Sequence, residues 1–147
     1  MKIWLIDIDG TASLSNHDYY IFLKTKPKNW KTFFHGSIHT PACEQVKKLV
    51  NMLYDSGDKI IMFTARPEDF REVSERWLEK NGIKYHDMIM RPLGDYRPDV
   101  EAKRDMLKIV REKYGEPFAA FEDRDGNIKM FAEEGVYSFN VSQGQLL

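Results

Sequence analysis

Asp7-Ile8-Asp9-Gly10-Thr11 sets two carboxylates two residues apart directly after an apolar run, with a glycine that lets the chain turn. Such a pair can divide the work of phosphoryl transfer. One carboxylate attacks phosphorus, while the other protonates the leaving oxygen and later deprotonates the hydrolytic water. An Asp-x-Asp-Gly turn also serves as a structural or calcium-type loop; its place after a buried first strand favours catalysis.

Three further segments offer matching parts. Thr64-Ala65-Arg66-Pro67 follows the second apolar run. A hydroxyl and free N–H groups at a helix start can hold phosphate oxygens, and Arg66 can add a charged fork, although Thr is equally a common helix cap. Lys103 lies three residues after Val100 and four before Leu107, on the inward stripe of an amphipathic segment. An unpaired ammonium there is costly, so it should meet carboxylates or phosphate; the alternative is a stem that snorkels to solvent. Phe121-Glu122-Asp123-Arg124-Asp125 brings a second acidic cluster, of a kind that binds Mg²⁺ through one or two carboxylates, waters and the substrate's phosphate. Acidic turns are usually solvated loops. Here the joint pattern favours a site.

Positioning these parts requires strands that end together. Short apolar runs at Ile3-Trp4-Leu5-Ile6, Ile60-Ile61-Met62-Phe63, Met88-Ile89-Met90, Phe118-Ala119-Ala120-Phe121 and Val136-Tyr137-Ser138-Phe139 read as strands buried on both faces of a parallel sheet. Helical stripes separate them. Val46, Leu49, Val50 and Leu53 form one, closed by Gly57. Phe70, Val73, Trp77 and Leu78 form the next, with Pro67 in its first turn and Asn81-Gly82 at its end. A third begins near Pro98 and faces inward with Val100, Leu107, Val110 and Tyr114; a fourth, roughly 126–134, does so with Ile128 and Phe131. The alternation predicts an α/β fold, a three-layer doubly wound sheet, mainly parallel.

The segment 12–40 is too long for an ordinary connection and reads as an insertion or small cap within one domain spanning 1–147. It carries Tyr19, Tyr20, Phe22, Trp30, Phe33 and Phe34 among Lys24, Lys26, Lys28 and Lys31. These aromatics and lysines can stack a base and steer a phosphate, or pack on one another as a cap. His17, His35 and His39 are dispersed along it, as suits surface or packing roles.

A length of 147 residues with 42% apolar side chains supports one core. A net charge of -1 argues against a broad basic face for duplex binding, so any nucleic-acid contact should be local. Cys43 is the only cysteine and reads as a small buried hydrophobe. No signal-peptide pattern and no bilayer-length apolar stretch occur, so a soluble, cytoplasmic protein without a membrane partner is expected. Nor does an obligate protein partner suggest itself.

In order, strand-end placement and spacing, these segments resemble the four motifs of the haloacid dehalogenase superfamily of phosphotransferases, over nearly the whole chain. Within it the chain is most similar to the 3'-phosphatase domain of phage polynucleotide kinase/phosphatase. That likeness is carried by Thr64-Ala65-Arg66-Pro67-Glu68, by Arg91 with Gly94-Asp95-Tyr96-Arg97 and Asp99 leading to Lys103, and by Glu122-Asp123-Arg124. The resemblance implies a Rossmann-like fold with Asp7 as nucleophile, Asp9 as general acid/base, Thr64 as a phosphoryl-binding hydroxyl and Lys103 as the stabilising cation. It implies Mg²⁺ held by Asp7, the Asp9 backbone carbonyl and Asp123, with Glu122 a direct or water-mediated contact. Thr11, Arg66, Arg91, Arg97 and Trp30 are the expected substrate-binding residues.

The chain departs from that pattern in three places. Ala65 stands for the usual Gly, Glu122 for an Asp, and Asp125-Gly126-Asn127 where relatives are apolar or basic. No Gly-rich phosphate loop ending in Lys-Ser/Thr occurs, so a kinase half is not expected. The expected substrate is a phosphorylated small molecule or nucleic-acid end, with a 3'-phosphate ahead of a 5'-mononucleotide. A non-catalytic binding module on the same fold would have shed Asp7 or Asp9, and both are present.

Overall fold

The computed structural model describes residues 1–14 and 37–143. Strands β1 (Ile3–Ile6), β2 (Lys59–Pro67), β3 (Asp87–Arg91), β4 (Ala119–Glu122) and β5 (Tyr137–Asn140) form one sheet in the order β3-β2-β1-β4-β5, with every pairing parallel. Between them lie helices α1 (Glu44–Asp55), α2 (Arg71–Lys80), α3 (Asp99–Lys113) and α4 (Asp125–Glu133).

The three layers follow from alternation along the strands. Trp4, Ile6, Ile60, Met62, Met88, Met90 and Phe121 pack with Val46 and Val50 of α1 and Trp77 and Leu78 of α2. Their neighbours Ile3, Leu5, Ile61, Phe63, Ile89 and Ala120 face the other way, onto Met106, Leu107 and Val110 of α3 and Met130 and Phe131 of α4. The chain leaves β1 for β2 on one side and reaches β4 on the other. The carboxyl ends of β1 and β4 therefore flank the switch point where open α/β sheets bind ligands.

Several local expectations change. Pro67 ends β2 in extended geometry (φ -63°, ψ 151°), and a 3-10 turn, Glu68–Phe70, precedes α2. Leu49 is exposed on α1, Val73 is half-buried, and α4 turns Asn127, Met130 and Phe131 inward while Ile128 stays half-exposed. β5 is an edge strand: Tyr137 and Phe139 are exposed, Phe139 stacks on Trp4, and Phe118 lies half-exposed ahead of β4. Cys43 is half-buried at the start of α1. Gly57 and Gly82 adopt positive φ at the ends of α1 and α2, as expected.

The two ends of the insertion are fastened together. Ser13 bridges Ala42; beside them Leu14 N–H donates to the Pro41 carbonyl (2.9 Å) and Cys43 N–H to that of Ala12 (2.8 Å). Ile38 packs against the core, and Trp77 Nε1 donates to Thr40 O at 2.7 Å. Residues 15–36, which include Trp30, the lysine cluster, His17 and His35, lie outside the described residues. Among the described residues no helix is long and apolar enough to cross a membrane.

Candidate active site

Asp7 continues the line of β1, its N–H donating to the Phe121 carbonyl at 3.2 Å. The chain then curls: the Ile8 carbonyl accepts from Thr11 (3.1 Å) and Ser13 (2.9 Å), and the Asp7 carbonyl accepts from Ala12 (3.3 Å). Gly10 sits at φ 82°, a conformation that costs other residues strain. This curl returns Thr11 to Asp7.

Both oxygens of the buried Asp7 carboxylate have partners. Lys103 Nζ donates to Oδ1 at 2.9 Å, and Thr11 Oγ lies 3.1 Å from Oδ2 and 3.3 Å from Asp123 Oδ1. Lys103 is 1% exposed and also reaches Glu122 Oε2 at 3.1 Å. Burial works against its charge, but Asp7 and Glu122 outweigh burial and hold the ammonium protonated well above its ordinary range. The inward lysine expected from helical spacing is there, with carboxylates as its partners.

Asp7, Glu122 and Asp123 can each present an oxygen so that all three lie within 4.8 Å of one another. Burial, then the charge of Asp7, raises the carboxyl pKa of Glu122; burial, Asp7 and Glu122 do so for Asp123. Three buried carboxylates against one ammonium leave negative charge that a hard cation suits, and an all-oxygen donor set fits Mg²⁺. The Asp9 side chain is not in this cluster. It faces Arg66.

Arg66 shows how β2 serves the site. Between Thr64 and Pro67 the strand makes three steps while β3 makes one, from Met90 to Arg91. Such irregularities re-aim side chains. Here Arg66, 2% exposed, turns inward and donates to Asp9 from Nε (2.8 Å) and Nη2 (2.7 Å) and to Ser74 Oγ from Nη1 (2.9 Å). The fork expected for phosphate is thus directed at a carboxylate. Thr64 is buried, its Oγ accepting from Arg66 N–H at 3.1 Å.

The remaining expected arginines stand differently. Arg91 donates to the carbonyls of Ala65 (2.9 Å), Asp95 (3.1 Å) and Arg97 (2.6 Å) and to Asp99, bracing the end of β2 against the start of α3. Arg97 pairs with Asp95 and Asp105 at the surface. Asp99 is shared by Arg91 and Arg124, the latter at 2.9 Å; burial lowers the guanidinium pKa of Arg124, against the pull of Asp7 and Asp9. Asp99, Arg124, Asn127 and Ser74 had no assigned role from sequence. Asp99 stands one helical turn before Lys103, and Arg124 directly follows the acidic pair. Neither Ser74 nor Asn127 carries such a signal.

No curated protein matches the sequence. A chain in the structure of the Pnkp1/Rnl/Hen1 RNA repair complex is 26% identical over 95% of this chain, with a TM-score of 0.76. A chain in a second Pnkp1/Rnl/Hen1 complex is 27% identical, again over 95%, with a TM-score of 0.75. The present chain spans only 42% and 45% of those two. The class C acid phosphatase from Bacillus anthracis shares the fold at 11% identity, with a TM-score of 0.65 over 93% of this chain and 66% of that one. Residues 1–146 match the polynucleotide kinase PNKP phosphatase domain, and the chain, with its acidic strand ends gathered at the sheet's switch point, belongs to that haloacid dehalogenase-type phosphatase family.

Proposed function

We propose that this chain is a Mg²⁺-dependent phosphomonoesterase that acts through an aspartyl-phosphate on Asp7 and prefers 3'-phosphate ends of nucleic acids. The observation that carries the chemistry is the buried Lys103–Asp7 contact of 2.9 Å, set beside Asp123 and two residues from Asp9. In the first half-reaction an Asp7 oxygen forms a bond to phosphorus as the bond to the leaving oxygen breaks, and Asp9 gives that oxygen its proton. In the second, Asp9 takes a proton from water. The water oxygen bonds to phosphorus, the bond to Asp7 breaks, and phosphate leaves with Asp7 a carboxylate again.

Arg66 donates to both Asp9 oxygens and so orients the carboxyl that carries the proton in the first half and receives one in the second. Lys103 balances charge on Asp7 and on the transferring group. Asp7, Asp123 and the Asp9 backbone carbonyl would hold Mg²⁺, with Glu122 already taken by Lys103 and Asn127. When bound, the cation neutralises charge between Asp7 and the incoming phosphate.

Nucleic-acid substrates are supported by family membership and by the 26% identical chain in an RNA repair complex. The aromatic and lysine content of 15–36 supports them too. The test is phosphate release, with Mg²⁺, from short oligonucleotides carrying a 3'- or 5'-phosphate, from 3'- and 5'-mononucleotides and from a phosphosugar. Faster release from the 3'-phosphates supports the proposal, and faster release from 5'-mononucleotides replaces it with a nucleoside 5'-monophosphate phosphatase.

A further inference from the structure

We propose that Asn127 is a positioning residue of this site: its amide fixes the Glu122 carboxylate and, through it, the Lys103 ammonium that contacts Asp7. The inference rests on the phosphatase reading above. Asn127 lies in the first turn of α4, 1% exposed, and Nδ2 donates to Glu122 Oε1 at 2.6 Å. The other Glu122 oxygen accepts from Lys103 at 3.1 Å, and Lys103 donates onward to Asp7 at 2.9 Å. The relay Asn127–Glu122–Lys103–Asp7 is buried throughout.

An ammonium held between two carboxylates moves toward whichever can approach it. Where Glu122 stands therefore sets how closely Lys103 approaches Asp7. Glutamate has three rotatable side-chain bonds, and an oxygen of Glu122 can also join the Asp7–Asp123 cluster. Left loose, it could follow Lys103 or swing toward Asp123. An amide is suited to prevent this. It donates to the carboxylate without bringing charge, so it holds Glu122 without competing with Lys103 for it.

Two observations separate this from simple satisfaction of a buried acid. Asn127 Oδ1 is buried without a partner among the described residues, an arrangement a residue chosen only for packing would avoid. In addition, α4 sits tightly on the start of α3: a Cβ on Gly126 would come within 3.1 Å of Val100 Cγ2, three residues before Lys103. The helix that carries the amide is thereby seated against the helix that carries the ammonium.

The experiment uses the full chain and p-nitrophenyl phosphate, comparing the parent with Asn127→Leu, Asn127→Ser, Glu122→Gln and the Asn127→Leu/Glu122→Gln pair. Thermal melting establishes which variants are folded. Asn127→Leu should lower kcat by about tenfold or more, leaving KM and the half-saturating Mg²⁺ concentration within about twofold. Asn127→Ser, too short to reach Glu122, should split the same way and serves if the leucine variant does not fold. In the Glu122→Gln background Asn127→Leu should cause no further loss, because the amide acts through that carboxylate. A folded Asn127 variant with the parent's kcat, a loss confined to KM or Mg²⁺ affinity, or losses that multiply in the pair would overturn the inference alone. An inactive parent would overturn the phosphatase reading and this inference with it.

Discussion

Arg66 grips both oxygens of the Asp9 carboxylate, from Nε at 2.8 Å and Nη2 at 2.7 Å, across 57 residues of sequence. Lysine in its place keeps the charge and loses the planar fork, so Arg66→Lys should let Asp9 turn away from the leaving group. A fall in kcat of about 10–100-fold on p-nitrophenyl phosphate is expected. Ser74→Ala removes one support of the same guanidinium and should cost about 1 kcal/mol in denaturant unfolding. Full activity in Arg66→Lys would sink the assignment.

Asp7→Asn keeps the shape of the side chain and removes its nucleophilicity. Turnover should fall by at least about 10³-fold while the melting transition stays cooperative. Beryllium fluoride should protect the parent against unfolding only when Mg²⁺ is present, and should not protect the variant. A variant as active as the parent would exclude an aspartyl-phosphate at this position.

Glu122 already accepts from Lys103 and Asn127, whereas among the described residues Asp123 is met by the Thr11 hydroxyl at 3.3 Å and by the Asp7 carboxyl, with no cation paired to it. Asp123→Asn should therefore raise the Mg²⁺ concentration needed for half-maximal activity by about tenfold or more, and Glu122→Gln by much less. The quantity to compare is the Mg²⁺ titration of the two variants. The opposite ranking would make Glu122 the ligand.

Burial and the neighbouring charges raise the carboxyls of Glu122 and Asp123 above their ordinary values. A carboxyl raised in the folded state binds more protons folded than unfolded. Its stabilisation is complete at low pH and is lost as pH climbs from about 4 through the raised value. Carboxyls shifted the other way, such as Asp95 at about 2, are ionised in both the folded and unfolded states between pH ~5 and ~8 and add no slope there. With chelator present, melting should thus occur at lower temperature near pH ~8 than near pH ~5. Mg²⁺ at about 100 times its Kd should recover about 2.7 kcal/mol, roughly 5–11 °C at this size. Indifference to both pH and Mg²⁺ would mean the cluster does not hold the charge described.

The sheet and its acidic edge were legible because doubly buried parallel strands read as apolar runs, and Asp7, Thr64 and Glu122-Asp123 come at or near their ends. Lys103 was legible because a cation on an apolar stripe has to be paired. Partnerships were less so. Nothing in Thr64-Ala65-Arg66-Pro67 announces the shifted register that turns Arg66 to Asp9, and Asn127 gains meaning only once α4 is docked beside Glu122. Apolar residues misled in places: Leu49 is exposed on its helix, and Phe139 of the edge strand stays exposed while its ring meets Trp4, Phe121 and Tyr137.

The fastening of Leu14 to Pro41 and of Ala12 to Cys43 gives the segment between them unusual licence to vary. Closing a chain on fixed ends costs only about 0.6 kcal/mol more for each doubling of its length. Residues can therefore be gained, lost or exchanged there while the curl from Asp7 to Ser13 keeps its own bonds. The two regions are thus separable in engineering terms: a change between Leu14 and Pro41 leaves in place the backbone bonds that return Thr11 to Asp7, and a change in the curl leaves the clip that joins the ends.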